Sequence, residues 1–145
     1  MKKLYVVGNK TSKSLSPTIF NYWFKKYNIK ARYGHLELTE KNFHNKIKDV
    51  LEKKDTLGLN VTIPFKNKII KHLGKIDAHA KKIGAVNCVT NKKTINGTNT
   101  DWTGYYKTLP NIKKTKNRKV IIFGYGGASH DIHYVLKKRG FKDIL

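Results

Sequence analysis

The stretch Leu57-Gly58-Leu59-Asn60-Val61-Thr62-Ile63-Pro64-Phe65-Lys66 decides how this chain is read. Leu57 to Ile63 predicts a strand, and Pro64 is expected to begin a helix carrying Ile69, Ile70 and Leu73. Asn60 and Thr62 then fall at the C-terminal end of a strand, where open α/β sheets bind their ligands. Lys66 falls in the first turn of the following helix, where the macrodipole disfavours a cation. One reading is a further surface lysine in a lysine-rich chain. The other is a residue kept for chemistry, since local misfits gather at functional sites.

The same alternation extends in both directions. Upstream, Leu4 to Val7 predicts a short buried strand and Lys10 to Ser16 a loop. Ser16-Pro17 is a helix start, with serine as N-cap and proline at N1. Ile19, Phe20, Trp23, Phe24 and Tyr27 follow on one helical face, and Asn28 closes the helix. Ala31 to Leu38 is a second strand, and Thr39 is expected to cap a helix buried through Phe43, Ile47, Val50 and Leu51. Downstream, Asp77 to Ile83 predicts a short helix and Ala85 to Thr90 a strand. Asn91-Lys92-Lys93 reads as a turn, Thr94-Ile95 as a brief strand, Asn96-Gly97 as a tight-turn signal, and Thr100 to Leu109 as a helix. Residues 110–118 are basic, polar and proline-bounded, and read as a linker. Lys119 to Phe123 is an apolar strand, followed by Gly124-Tyr125-Gly126-Gly127-Ala128, a helix from Ser129 to Arg139, and the start of another strand at Asp143. This order predicts an α/β fold, a three-layer sandwich with a largely parallel sheet, followed by the first β-α unit of a second, Rossmann-like domain.

Composition limits what such a chain can be. It has 145 residues with 39% apolar content, enough for a core and against intrinsic disorder. No run of 18 apolar residues is present, so no membrane-spanning helix is expected. The apolar run after Met1-Lys2-Lys3 is too short for a signal-peptide core. A single cysteine, Cys88, makes no internal disulfide, and a reducing cytoplasmic setting is expected. Net charge is +22, which raises a nucleic-acid-associated module as one function class. The bases argue against specific recognition. Apart from Arg32, Arg118 and Arg139 they are all lysines, scattered along the chain, and lysine lacks the bidentate fork that reads guanine edges. A solvated lysine surface that also attracts small anions accounts for the charge.

Five stretches carry chemistry. Ser14 and Ser16 place two hydroxyls before a helix N-terminus, where they can cap the helix or bind a carboxylate. Asn60, Thr62 and Lys66 form the second group. In Gly84-Ala85-Val86-Asn87-Cys88, a polar Asn87 inside an apolar run needs a partner, either a ligand or a neighbouring backbone group. In Asn96 to Gly104, Asn99 or Asp101 can cap the next helix, or Asp101 can pair with a lysine from another loop and make a proton-transfer couple. Last, Gly124, Gly126 and Gly127 follow a strand and open a helix, the arrangement that lets a backbone approach a pyrophosphate. His130 and His133 lie one turn apart without a third ligand, so no metal is expected.

In this order, S-x-S-P, N-V-T-x-P-x-K, G-A-V-N, N-T-D-x-x-G and G-x-G-G-A resemble shikimate dehydrogenase. The resemblance implies reversible NADP-linked reduction of 3-dehydroshikimate to shikimate, a step toward chorismate and the aromatic amino acids. It further implies that Ser14 and Ser16 hold the substrate carboxylate, that Thr62, Asn87 and Asp101 bond ring hydroxyls, and that Lys66 and Asp101 form the catalytic pair. Gly124, Gly126, Gly127, Ala128 and Ser129 would cradle the cofactor pyrophosphate. The matching domains are 1–109 for substrate, 110–118 as linker and 119–145 as the opening of the NADP-binding domain. Two residues depart from the pattern: Tyr125 stands where a small residue is usual, and Asp131 brings a negative charge to the helix turn expected to receive a phosphate. The chain is expected to be a fragment, a truncated gene product or a designed form that binds shikimate weakly and turns over poorly or not at all. A quinate-preferring relative is the alternative within the family.

Overall fold

The computed structural model describes residues 1–110, 112 and 118–145. The linker expected at 110–118 lies largely outside them. β1 (Lys2–Gly8), β2 (Ala31–Glu37) and β3 (Thr56–Val61) run parallel, with β1 in the middle. Two right-handed crossovers that step in opposite directions put their helices on opposite faces of a sheet. The crossovers here are α1 (Ser16–Lys26), leading from β1 to β2, and α2 (Phe43–Leu51), leading from β2 back across to β3. This is the expected three-layer α/β arrangement.

The sheet continues through β5 (Cys88–Asn91) and β6 (Ile95–Thr98) to β4 (Lys75–Ile76), in the order β2-β1-β3-β5-β6-β4. β5 is antiparallel to both β3 and β6, while β4 is parallel to β6. One reversed strand therefore sits among five that share a direction. Its consequence is functional. The C-terminal ends of β1, β3 and β6 and the segment leading into β5 all emerge at the same edge, so Thr62, Asn87 and Asn99 converge there.

The core lies on the α2 side, where Val7, Leu59 and Val61 pack against Phe43, Ile47 and Leu51. Phe65 stacks on Phe43 with ring centroids 4.2 Å apart. On the other face Phe20 of α1 stacks on buried Tyr33 at 4.7 Å. Asn21 of α1 anchors the same strand through both backbone groups of Tyr33.

Several local expectations are corrected. Ser16 is inside α1 and Leu15 holds the cap position; the Ser14 hydroxyl instead accepts from the Ser16 N–H at 3.3 Å. Asn28 does close α1, in the left-handed region at φ 52°. Thr39 opens a turn rather than the helix itself, exchanging hydrogen bonds with Asn42 before α2 starts. The helix expected from Pro64 is only a 3₁₀ segment at Lys68–His72. Asn96-Gly97 is not a turn but the middle of β6, because a side chain at Gly97 would overlap Leu73 and Val86.

After α3 (Ala78–Ile83) and α4 (Asp101–Thr108), a separate β-α-β unit is formed by β7 (Lys119–Val120), α5 (Gly127–Lys138) and β8 (Asp143–Ile144). The strand predicted over Lys119–Phe123 is shorter than expected, since its parallel partner spans only two residues and Phe123 is almost fully exposed. α5 packs on α4 and α3. Among the described residues no helix is long and apolar enough to cross a membrane.

Candidate active site

A cleft of about 650 Å³ opens at the strand edge described above. It is lined by Ser14, Ser16, Thr62, Lys66, Asn87 and Asp101, all six polar residues nominated from sequence for substrate and chemistry. Asn60 lines it as well. Its carbonyl accepts from the Tyr33 hydroxyl at 2.7 Å, which fixes the amide at the mouth of β3. Burial pushes the Tyr33 phenol well above its ordinary range, so it stays a neutral donor.

Lys66 is the most buried of the three lysines that line the cleft. Its side chain is only 12% exposed, and its ammonium donates to the Asp101 carboxylate. Asp101 remains open to the cleft at 44% exposure. The alternatives left open at residues 99–101 separate cleanly. Thr100 holds the cap position of α4, Asn99 just before it accepts from the Asp101 N–H at 2.9 Å, and the Asp101 carboxylate is left to pair with Lys66. Asn87 has found a neighbouring partner: its amide exchanges hydrogen bonds with the Thr100 N–H and hydroxyl, both at 2.9 Å. It also faces the cleft, with one amide proton left over.

Sequence reasoning passed over several neighbours. Lys10 and Lys13 line the cleft beside the two serines and add positive charge where an anion would enter. They were hidden by the abundance of lysine. Glu37, at the end of β2, accepts from the Thr11 and Ser12 N–H groups at 2.6 Å each and so shapes the loop that carries Ser14. Those two bonds hold its carboxyl below the usual carboxylate range. Thr11 is fully buried along the cleft, and its hydroxyl has no partner among the described residues.

The glycine loop adjoins this cleft. Gly126 and Gly127 share a second cavity, of about 340 Å³, with Lys66, Pro64 and His130. Gly124 and Ser129 line a third, of about 520 Å³, along α5. Ala128 lies exposed in the first turn of α5. Ser129 closes that turn, its hydroxyl donating to the Gly126 carbonyl at 2.6 Å. Gly126, at the N-cap, has no side chain with which to cap the first turn of α5. The Tyr125 ring is almost fully exposed, tilted against His130 at 5.1 Å on the rim of both of these cavities. Asp131 does not occupy the anion position at the helix start. Its carboxyl is buried and faces Lys66 at 3.4 Å and Asn99 at 2.6 Å.

Comparisons with known proteins identify the fold and the family. The shikimate dehydrogenase from Thermotoga maritima named for NADP(+) is 34% identical over 142 residues, covering 98% of this chain and 53% of the relative. The crystal structure of shikimate dehydrogenase from Aquifex aeolicus superposes with a TM-score of 0.85 at 33% identity, over 99% of this chain and 54% of that one. A shikimate 5-dehydrogenase from Listeria monocytogenes, solved in complex with shikimate and NAD, gives 0.78 at 30% identity, over 99% of this chain and 50% of that one. The chain thus spans about half the length of the curated relatives it matches. The model of the shikimate dehydrogenase substrate-binding domain matches residues 6–89, more than half of the chain, and the chain belongs to that family.

Proposed function

We propose that this chain forms the substrate-binding half of a shikimate dehydrogenase, which reduces 3-dehydroshikimate reversibly to shikimate with NADPH. The observation that carries the proposal is the convergence of six nominated side chains from four separate stretches on one cleft. In this reading residues 1–109 bind substrate, 110–118 connect, and 119–145 begin the nucleotide-binding domain. Ser14 and Ser16 hold the carboxylate, with Lys10 and Lys13 supplying the field that draws it in. Thr62, Asn87 and Asp101 bond the ring hydroxyls. The Lys66 ammonium hydrogen-bonds the ketone oxygen and gives it a proton as the alkoxide forms, and Asp101 holds the ammonium in place.

The glycine loop suits a dinucleotide phosphate. Side chains added at Gly124 and Gly126 would meet nothing within 4 Å, so the backbone there is open to approach, and the α5 N-terminus presents uncapped donors. Gly124, Gly126, Gly127, Ala128 and Ser129 would hold the pyrophosphate of NADP, and the bound cofactor would supply the hydride. Titration of the chain with shikimate tests the reading. Saturable binding is expected, and Ser14→Ala with Ser16→Ala should weaken it about tenfold for each charged hydrogen bond lost. A chain that shows no response to shikimate or 3-dehydroshikimate would sink it.

A further inference from the structure

We propose that Asp131 is a positioning residue for Lys66, clamping its ammonium from the buried side while Asp101 holds it from the cleft side. The inference rests on the reading of Lys66 as the proton donor and extends it to a residue on the glycine-loop helix. Asp131 is 3% exposed, yet it carries a carboxylate. One oxygen accepts from Lys66 at 3.4 Å, the other from the Asn99 amide at 2.6 Å. Asn99 is itself buried, and its second amide proton goes to the Ala85 carbonyl at 3.0 Å. Its oxygen receives the Asp101 N–H at 2.9 Å. Asn99 therefore ties the two carboxylates around Lys66 to each other, one through its side chain and one through its backbone.

A lysine ammonium has three donors on a long flexible stem. Two carboxylates on different elements take two of them and leave one for the cleft. The stem is confined too: a side chain at Gly127 would come within 3.1 Å of the Lys66 Cδ. Lys66 is thus held by α5 along its stem and at its tip. Fixing the reacting group in one geometry is the contribution expected of a positioning residue. Because Asp131 and Gly127 belong to α5, the placement of Lys66 depends on how the second unit docks.

The test follows the ammonium itself, by nitrogen-15 NMR of lysine side chains in the full chain, with the Lys66 signal assigned by its loss in Lys66→Arg. In wild type the signal is expected to be visible, protected from exchange, and linked to the Asp131 Hβ protons by a nuclear Overhauser effect. Absence of that effect from a visible signal overturns the placement, and this arm needs no variant. Asp131→Asn keeps the shape and the hydrogen bond to Asn99 but removes the charge. It should broaden the Lys66 signal into the bulk ammonium envelope and weaken shikimate binding about tenfold, with circular dichroism unchanged. Ser16→Ala should weaken shikimate binding and leave the Lys66 signal in place. If wild type binds no shikimate but Asp131→Asn still releases the signal, the functional reading fails and the clamp stands. A Lys66 signal indifferent to Asp131→Asn overturns the clamp whatever shikimate does.

Discussion

Asp131 shows the cost of a charged residue placed for chemistry. Its carboxyl sits above its ordinary value of 3.8, chiefly because burial disfavours the charged form; Lys66 and Asn99 pull the other way without cancelling it. An acid whose folded value is raised binds its proton more tightly in the native state. Its contribution to stability is then fully present below about 3.8 and is lost as pH rises through the folded value. Removing the charge does not orphan Lys66, which keeps Asp101. Asp131→Asn is therefore expected to melt at or above the wild-type temperature at pH 7, with the gap closing in acid below the ordinary value. Thermal melts of both proteins across that range check this. A wild type clearly more stable than the variant at neutral pH would mean that the ion pair stabilises the fold outright. Stability given up at a working residue is the usual trade at functional sites.

At the level of elements, the loop between β1 and α1 is built by a residue from another strand. Glu37 gathers the Thr11 and Ser12 N–H groups, and its carboxyl lies below the ordinary 4.5 because those donors favour the charged form. Here the sign is opposite to that of Asp131. The ordering is present above about 4.5 and is lost as pH falls through the depressed folded value. The Thr11 and Ser12 amide resonances should hold their hydrogen-bonded positions at neutral pH and move toward random-coil values in acid. Glu37→Gln should show the shifted positions already at neutral pH and loosen the grip of Ser14 on an anion. Amides that ignore both changes would show that the loop is held by something else. The same element marks what sequence could convey. Ser14, Ser16, Thr62 and Asp101 were legible because each stands beside a local signal, a helix start or a strand end; Lys66 was singled out by a helix dipole that the structure does not form there, and lies instead just past the end of β3. Glu37 carried no such signal, and Asn99 only that of a helix start, since the partners that tie them to the site lie 26 and 32 residues away. Asn96-Gly97 misled because the glycine answers the crowding of Leu73 and Val86 across the sheet, a tertiary demand that mimics a turn.

For the molecule as a whole, stability is divided unevenly. The six-stranded sheet is covered on both faces, whereas β7 and β8 pair over two positions and depend on α5 for their attachment. α5 in turn is held against α4 and α3 by an aromatic cluster. Trp102 stacks on His79 at 4.4 Å and meets Tyr134 of α5 edge-on at 5.6 Å, while the Tyr134 hydroxyl bonds the His79 ring at 2.6 Å. Arg139, just beyond α5, covers the Tyr106 ring at 3.9 Å and donates to the Tyr106 carbonyl at 2.9 Å. α4 has no fully buried residue of its own, so its hold on α5 rests on these contacts. Each aromatic pair contributes about 0.5–1.5 kcal/mol beyond its area. Trp102→Ala should therefore let the second unit open without unfolding the first. Hydrogen exchange reads this directly: amides of α5 should exchange about tenfold faster, while β1 and β3 keep their protection. Uniform acceleration across both units would show a single cooperative block. Selective opening would also move Lys66, because the carboxylate that clamps it rides on α5. Loss of the aromatic joint and loss of the Asp131 charge should then displace the same ammonium signal by two independent routes.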